Sequence, residues 1–96
     1  MTPEEVKRIR QELGITQAQL AQLLGVHALT VSKWERGVGA PTPHQAALLD
    51  SFAKATKKQP GIGATVAALL VGAGLAFALY ELLKAAFEGG PRRPRA

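Results

Sequence analysis

The stretch from Thr16 to Gly37, TQAQLAQLLGVHALTVSKWERG, decides the fold of this chain. Thr16 followed three residues later by Gln19 is the sequence pattern of a capping box at a helix N-terminus. Leucines then recur at helical spacing, and Gly25 stands where a helix ends with a residue at positive φ. A second helix is predicted to start at about His27 or Ala28 and to run to Gly37, the next candidate for a glycine end. The stretch therefore predicts two short helices joined by a tight turn.

The second of these helices has two chemically different faces. Val31 and Trp34 fall on one side, which we expect to pack in a core. The opposite arc carries short side chains flanked by cations, namely Ala28, Leu29, Ser32, Lys33 and Arg36. A helix in a DNA major groove needs small residues for close approach, hydrogen-bonding groups for base edges and cations for phosphates. A solvated face on a small helical bundle is the alternative interpretation.

The same stretch resembles the helix-turn-helix of the Cro and phage-repressor (Xre-type) family. The pattern of that family is roughly [ST]-Q-x-x-L-A-x-x-x-G-V-S-x-x-T-[IV]-S-[RK]-W-E-x-G. The matching residues are Thr16, Gln17, Leu20, Ala21, Gly25, Val26, Thr30, Val31, Ser32, Lys33, Trp34, Glu35 and Gly37. The resemblance covers about residues 2–57 and leaves the rest of the chain outside it.

The resemblance implies two sets of DNA contacts. The base-facing set is Ala28, Leu29, Ser32 and Lys33, and the phosphate-facing set is Thr16, Gln17 and Arg36. This chain departs from the family at His27, where a Ser or Thr cap is usual, and at the first two base-facing positions. Alanine and leucine contact thymine methyl groups but do not hydrogen-bond a base, so Lys33 is expected to carry most of the polar readout.

A first helix is predicted from Thr2 to Gly14. Thr2 and Glu5 form a second capping box with Pro3 between them, and apolar residues follow at helical spacing. The resemblance implies that Arg10 of this helix pairs with Glu35. Arg10 is then a structural residue and not a DNA contact.

A fourth helix begins at Thr42, with Pro43 in its first turn, and its apolar face is expected to close the core. Gln59-Pro60-Gly61 then breaks the chain. We therefore predict an all-α protein with a four-helix domain over residues 1–58, a linker at 59–61, a long apolar helix at 62–88 and a basic tail at 89–96.

Composition narrows the function classes. The net charge of +5 and pI of about 10.1 suit a polyanionic partner. The absence of cysteine excludes disulfides and thiolate metal sites, and His27 and His44 have no partner at ligand spacing. No catalytic motif is present, so we expect neither an enzyme nor a cofactor or metal. The polar N-terminus predicts no secretory signal and hence a cytoplasmic DNA-binding domain.

The segment Ile62–Tyr80 is uncharged and about long enough to cross a bilayer core of roughly 30 Å. Small residues recur in it at every fourth position, at Ala64, Ala68, Gly72 and Ala76. Such a stripe lets two helices approach closely and predicts helix association. Two interpretations stay open: a span of the cytoplasmic membrane, or a helix buried in an oligomer interface.

Two functional hypotheses follow. The first is a sequence-specific regulator of transcription that binds double-stranded DNA as a homo-oligomer, with its third helix in the major groove and with or without a membrane tether. The second is a membrane-anchored or oligomeric scaffold that uses the helix-turn-helix for protein contacts. The intact S-K-W-E-R-G run favours DNA, and the hydrophobic segment favours the scaffold.

Overall fold

A computed structural model describes residues 1–88, and the predicted basic tail, residues 89–96, lies outside them. The described part is all α-helical and contains no strand. Its helices are α1 (Pro3–Leu13), α2 (Gln17–Leu24), α3 (Ala28–Glu35), α4 (Pro43–Lys58), α5 (Ile62–Gly72) and α6 (Leu75–Glu88). The first four are the helices predicted for the N-terminal bundle.

Local caps define the first half of the fold. Three capping boxes are present, at Thr2, Thr16 and Thr42. In each, the threonine hydroxyl accepts a hydrogen bond from the backbone N–H three residues on. The side chain of that later residue, Glu5, Gln19 or Gln45, accepts from the backbone N–H of the threonine. Gly14 and Gly25 end α1 and α2 at φ 69° and 70°, a conformation that favours glycine. The capping boxes predicted at Thr2 and Thr16 and the glycine ends of α1 and α2 are therefore confirmed, whereas α3 ends at Arg36, one residue before Gly37.

The apolar faces of α1 to α4 meet in one core. Its largest fully enclosed side chains include Phe52, Leu13, Leu20 and Leu49, and Trp34 is only 5 % exposed. The core does not stop at α4, because Ile62 and Val66 of α5 and Leu82 of α6 belong to the same buried cluster. That residues 1–58 fold independently of α5 and α6 stays a prediction.

The long apolar helix predicted for residues 62–88 is wrong: this region is a helical hairpin. Helix α5 ends at Gly72, and Gly74 takes φ 101°, which an α-helix does not accommodate. The backbone N–H groups of Ala73 and Gly74 both donate to the carbonyl oxygen of Leu69, at 2.9 and 2.6 Å, and so close the last turn. The chain then reverses into α6, which packs against α5.

This break also divides the predicted stripe of small residues. Ala64, Ala68 and Gly72 lie exposed on α5, whereas Ala76 lies exposed on α6. Helices α5 and α6 have 11 and 14 residues, against the roughly 20 that a membrane-spanning helix requires. Within residues 1–88, no helix combines the length and the apolar character needed to cross a bilayer.

Both helices of the hairpin contact the bundle. Helix α6 packs along α4, and the Lys58 ammonium donates to the carbonyl oxygen of Ala86 at 2.7 Å, which satisfies a C-terminal carbonyl of α6. Helix α5 crosses α1 at Gly63, which is buried. Residues 59–61 are thus a tight connection between α4 and α5 with Gly61 at φ 90°.

Candidate nucleic-acid interface

Helix α3 is held with one face in the core and the other in solvent. Val31 is fully buried and Trp34 is 5 % exposed, and together they fix the rotation of the helix about its axis. The predicted base-facing residues emerge on the opposite side: Ala28, Leu29 and Lys33 are exposed, and Ser32 is half-buried. The structure therefore brings all four onto one accessible face of α3.

Leu29 is the most unusual member of this face. It is 59 % exposed, although leucine is among the residues most often buried. It lies in the first turn of α3, and side chains of an α-helix lean toward its N-terminus. A leucine in this position can contact an apolar group such as a thymine methyl, but it supplies no hydrogen bond.

The N-terminus of α3 has no side-chain cap. His27 occupies the N-cap position with an extended backbone, at φ −81° and ψ 150°, and its imidazole makes no capping hydrogen bond. Its carbonyl oxygen accepts from the backbone N–H groups of Thr30 and Val31. The first amides of α3, those of Ala28 and Leu29, therefore receive no side-chain cap.

Arg36 follows the last residue of α3 and folds back along the helix. Its Nε donates to both the carbonyl oxygen and the Oγ of Ser32, each at 3.2 Å. Arg36 is exposed, so its remaining guanidinium nitrogens are accessible to an anion. The two cations of this region, Lys33 and Arg36, thus lie at the C-terminal end of the exposed face.

Thr16 and Gln17 at the start of α2 have partners within the protein. Thr16 Oγ1 accepts from the backbone N–H of Gln19 at 3.0 Å in the capping box. The amide Nε2 of Gln17 donates to Glu35 Oε1 at 3.2 Å. Sequence reasoning assigned Gln17 only to a phosphate and missed this contact, since no local pattern relates residues of two different helices.

Arg10 and Glu35 form a bidentate ion pair between α1 and the end of α3. Arg10 Nε lies 2.7 Å from Glu35 Oε2, and Nη2 lies 3.0 Å from Oε1. The guanidinium Nη1 also donates to the carbonyl oxygen of Ile15, in the connection between α1 and α2. The side chains are only 17 % and 6 % exposed, so the pair is shielded from solvent.

The ion pair changes the titration of both groups. Burial raises the pKa of the Glu35 carboxyl, but hydrogen bonds from Arg10 and Gln17 and the charge of Arg10 outweigh it and hold that pKa below its ordinary value. The hydrogen bond to Glu35 raises the pKa of Arg10 against the opposing effect of burial. Glu35 is therefore charged, and its carboxylate links α3 to Arg10 of α1 and to Gln17 of α2.

The described side chains of this region form hydrogen bonds and ion pairs. Within residues 1–87, no group of three or more His, Cys, Asp or Glu side chains is placed to hold a metal ion. In the same range, no buried side-chain nitrogen or oxygen is left without a hydrogen-bond partner. The chemistry that the face offers is hydrogen bonding, apolar contact and positive charge.

Comparison with known protein families identifies the family of this chain. The helix-turn-helix family model matches residues 6–53, half of the chain, from within α1 to within α4. No curated protein and no solved structure matched the chain. The chain belongs to the Xre/Cro-type helix-turn-helix family, a family of DNA-binding regulators.

Proposed function

We propose that this protein binds specific sequences of double-stranded DNA and regulates transcription, with α3 lying in the major groove. The observation that carries the proposal is the exposed face of α3, where Ala28, Leu29, Ser32 and Lys33 stand together while Val31 and Trp34 hold the helix from behind. The small side chains of Ala28 and Ser32 on this face permit close approach to base edges.

The chemistry of the face suggests the kind of readout. Lys33 is the exposed hydrogen-bond donor among the four, and a lysine that reaches guanine O6 or N7 discriminates by about 1–3 kcal/mol. Leu29 adds apolar contact with a thymine methyl. Arg36 and the amides at the N-terminus of α2 supply phosphate contacts, which orient the helix without reading sequence.

We also propose that the protein acts as a homo-oligomer. One helix-turn-helix unit covers few base pairs, and members of this structural class bind two half-sites separated by about one helical turn of DNA. Two copies related by a two-fold axis would present two α3 helices to such a site.

Binding to DNA is tested by fluorescence anisotropy with the full chain and a duplex selected from a random-sequence pool. We expect Lys33→Ala to lose about 1–3 kcal/mol of binding free energy and to relax preference at one base pair. The matched control is Lys57→Ala, an exposed lysine of α4 beside Glu12 and away from α3. Equal affinity of the two variants for the duplex would show that Lys33 does not contact a base.

Salt dependence separates DNA binding from the scaffold alternative. Phosphate contacts release counterions, so we expect the affinity to fall steeply between about 50 and 200 mM salt. A chain that selects no duplex from the pool, and whose weak association ignores salt, would contradict the proposal and favour protein contacts.

A further inference from the structure

The side of α6 that faces away from the bundle is aromatic. Ala78, Leu82, Ala85 and Ala86 are the buried residues of this helix. The opposite arc carries Phe77, Tyr80, Lys84 and Phe87, and we call these four residues the aromatic stripe. The stripe contains three of the five aromatic residues of the whole sequence. A helix at the surface of a globular protein ordinarily presents polar residues on this side, so the stripe is unusual.

The exposure of the stripe is large. Phe77, Tyr80 and Phe87 are 60 %, 60 % and 76 % exposed. An apolar depression of the surface lies between Ala76, Phe77 and Tyr80. Contiguous apolar surface of this kind marks an interaction site more often than an isolated exposed leucine does.

We propose that the aromatic stripe is the surface on which a second copy of this chain docks, with the two α6 helices antiparallel. Its members are spaced three, four and three residues apart, which is the alternation that forms the seam between two packed helices. The stripe would be the contact surface of the proposed homo-oligomer, and in that respect the inference rests on the proposed function.

The stripe is complementary to itself in the antiparallel direction. Leu82 is midway between Phe77 and Phe87 and also midway between Tyr80 and Lys84. A two-fold axis at that level places Phe77 opposite the partner's Phe87 and Tyr80 opposite the partner's Lys84. Within one copy, Lys84 Nζ already lies 5.8 Å from the centroid of the Tyr80 ring. The cation therefore has aromatic faces on both sides, which compensates for its loss of water.

The area is sufficient for a dimer. With about 200 Å² for each fully buried ring, the exposed parts of the three aromatic side chains in two copies cover about 800 Å². Ala76 and the aliphatic stem of Lys84 raise the contact to about 1,000 Å², the lower bound for a biological interface. We therefore expect a dimer that forms at micromolar or higher concentration.

Charge favours a protein partner over a lipid surface. Helices that lie on anionic membranes carry a polar face rich in lysine and arginine. Residues 62–88 contain one lysine and two glutamates. The surface also differs from the small-residue stripe, because three of the four small residues lie on α5.

Sedimentation velocity of the full chain without DNA tests the surface. We expect a concentration-dependent monomer–dimer equilibrium that Phe77→Glu weakens by about tenfold or more. The matched control is Val71→Glu, an equivalent change at an 86 % exposed residue of α5, which should leave the equilibrium unchanged. Circular dichroism reports whether each variant keeps its helices, and Phe87→Glu replaces Phe77→Glu if the latter unfolds. An unaltered dimer in the folded variants would overturn the proposal.

The double variant F77E/F87K tests the direction of the helices. In the antiparallel pair, each introduced carboxylate faces an introduced ammonium, so we expect F77E/F87K to dimerise more strongly than the control F77E/F87E, in which carboxylates face each other. In a parallel pair, like charges would face each other in both variants, and equal association of the two would overturn the antiparallel arrangement.

Two further measurements distinguish self-association from lipid binding and from DNA binding. A wild-type chain that stays monomeric in buffer, yet binds vesicles of phosphatidylcholine and phosphatidylglycerol through Phe77, would identify lipid as the occupant and overturn the proposal. A monomer that still selects DNA would contradict the docking surface and the proposed homo-oligomer but not the proposed DNA recognition. A stripe-dependent dimer that selects no DNA would support the docking surface and contradict only the proposed function.

Discussion

The backbone of Gly63 lies directly against the carbonyl oxygen of Leu13, so helix α5 crosses the end of α1 with no space for a β-carbon. Leu13 is the last residue of α1, and its side chain is fully enclosed in the core. This contact joins the C-terminal hairpin to the bundle that carries α3.

Gly63→Ala is expected to destabilise the protein by at least about 1–3 kcal/mol, because the new methyl group meets rigid backbone and α5 must move. The measurement is the midpoint of urea unfolding. Gly72→Ala is the matched control: Gly72 is also helical, and a β-carbon there meets nothing within 4 Å. Alanine at that position should stabilise by about 0.5–1 kcal/mol. Two equal effects would show that α5 does not depend on the close crossing.

Acid should weaken the fold through Glu35. Its pKa is lower in the folded state than in the unfolded chain, so the unfolded chain binds more protons as the pH falls. The contribution of the ion pair is therefore full above the ordinary pKa of a glutamate in the unfolded chain and is lost as the pH falls through the lowered folded pKa. We expect Glu35→Gln to flatten the fall in melting temperature across this acid range.

At neutral pH, Glu35→Gln should cost about 2–3 kcal/mol, somewhat below the loss for a fully buried pair. Glu12→Gln is the control, because Glu12 pairs with Arg8 at 3.9 Å on the exposed surface. Exposed pairs of this kind contribute about 0–1 kcal/mol. If Glu35→Gln leaves the fall in melting temperature at acid pH unaltered, groups other than Glu35 cause the pH dependence.

Trp34 and Lys33 are neighbours in the sequence and should behave in opposite ways. Trp34 is 5 % exposed, and its replacement by alanine leaves a large cavity that costs about 3–5 kcal/mol. Lys33 is exposed, so Lys33→Ala should change unfolding by no more than about 0.5 kcal/mol. Chemical denaturation of both variants measures the contrast, and comparable losses would contradict the observed rotation of α3.

The fragment 1–58 is expected to unfold cooperatively, but at a lower temperature than the full chain. Each of its helices has an apolar face in the bundle, and three have complete capping boxes. Removal of the hairpin exposes the side of α4 that α6 covers. Calorimetry of 1–58 beside 1–88 measures this contribution. A fragment without a transition would show that the bundle requires the hairpin.

Much of the bundle could be predicted because its determinants are close in sequence. A capping box joins residues three apart, and a terminal glycine acts on the last turn of its own helix. The rotation of α3 could be predicted as well, since Val31 and Trp34 mark its apolar side within eight residues.

The hairpin was not predicted because the apolar run that begins at Ile62 contains no polar break at the turn. Alanine, glycine and leucine suit one long helix as well as two short ones. Gly74 ends the first helix by taking positive φ, and the packing of α6 on α4 makes the reversed chain favourable. Hydropathy indicates that a segment will be removed from water. It does not indicate whether the segment forms one helix or two, because that depends on which apolar surface of the bundle is available to pack against it.

The sequence alone therefore established the family, the first four helices and the set of residues that face away from the core on α3. Three features depended on tertiary structure. They are the hydrogen bond from Gln17 to Glu35, the close crossing of Gly63 on Leu13 and the exposure of the aromatic stripe. The physical reason is distance along the chain: hydrogen bonds within a helix join neighbours, but these features arise where helices that are far apart in sequence meet or leave a face uncovered.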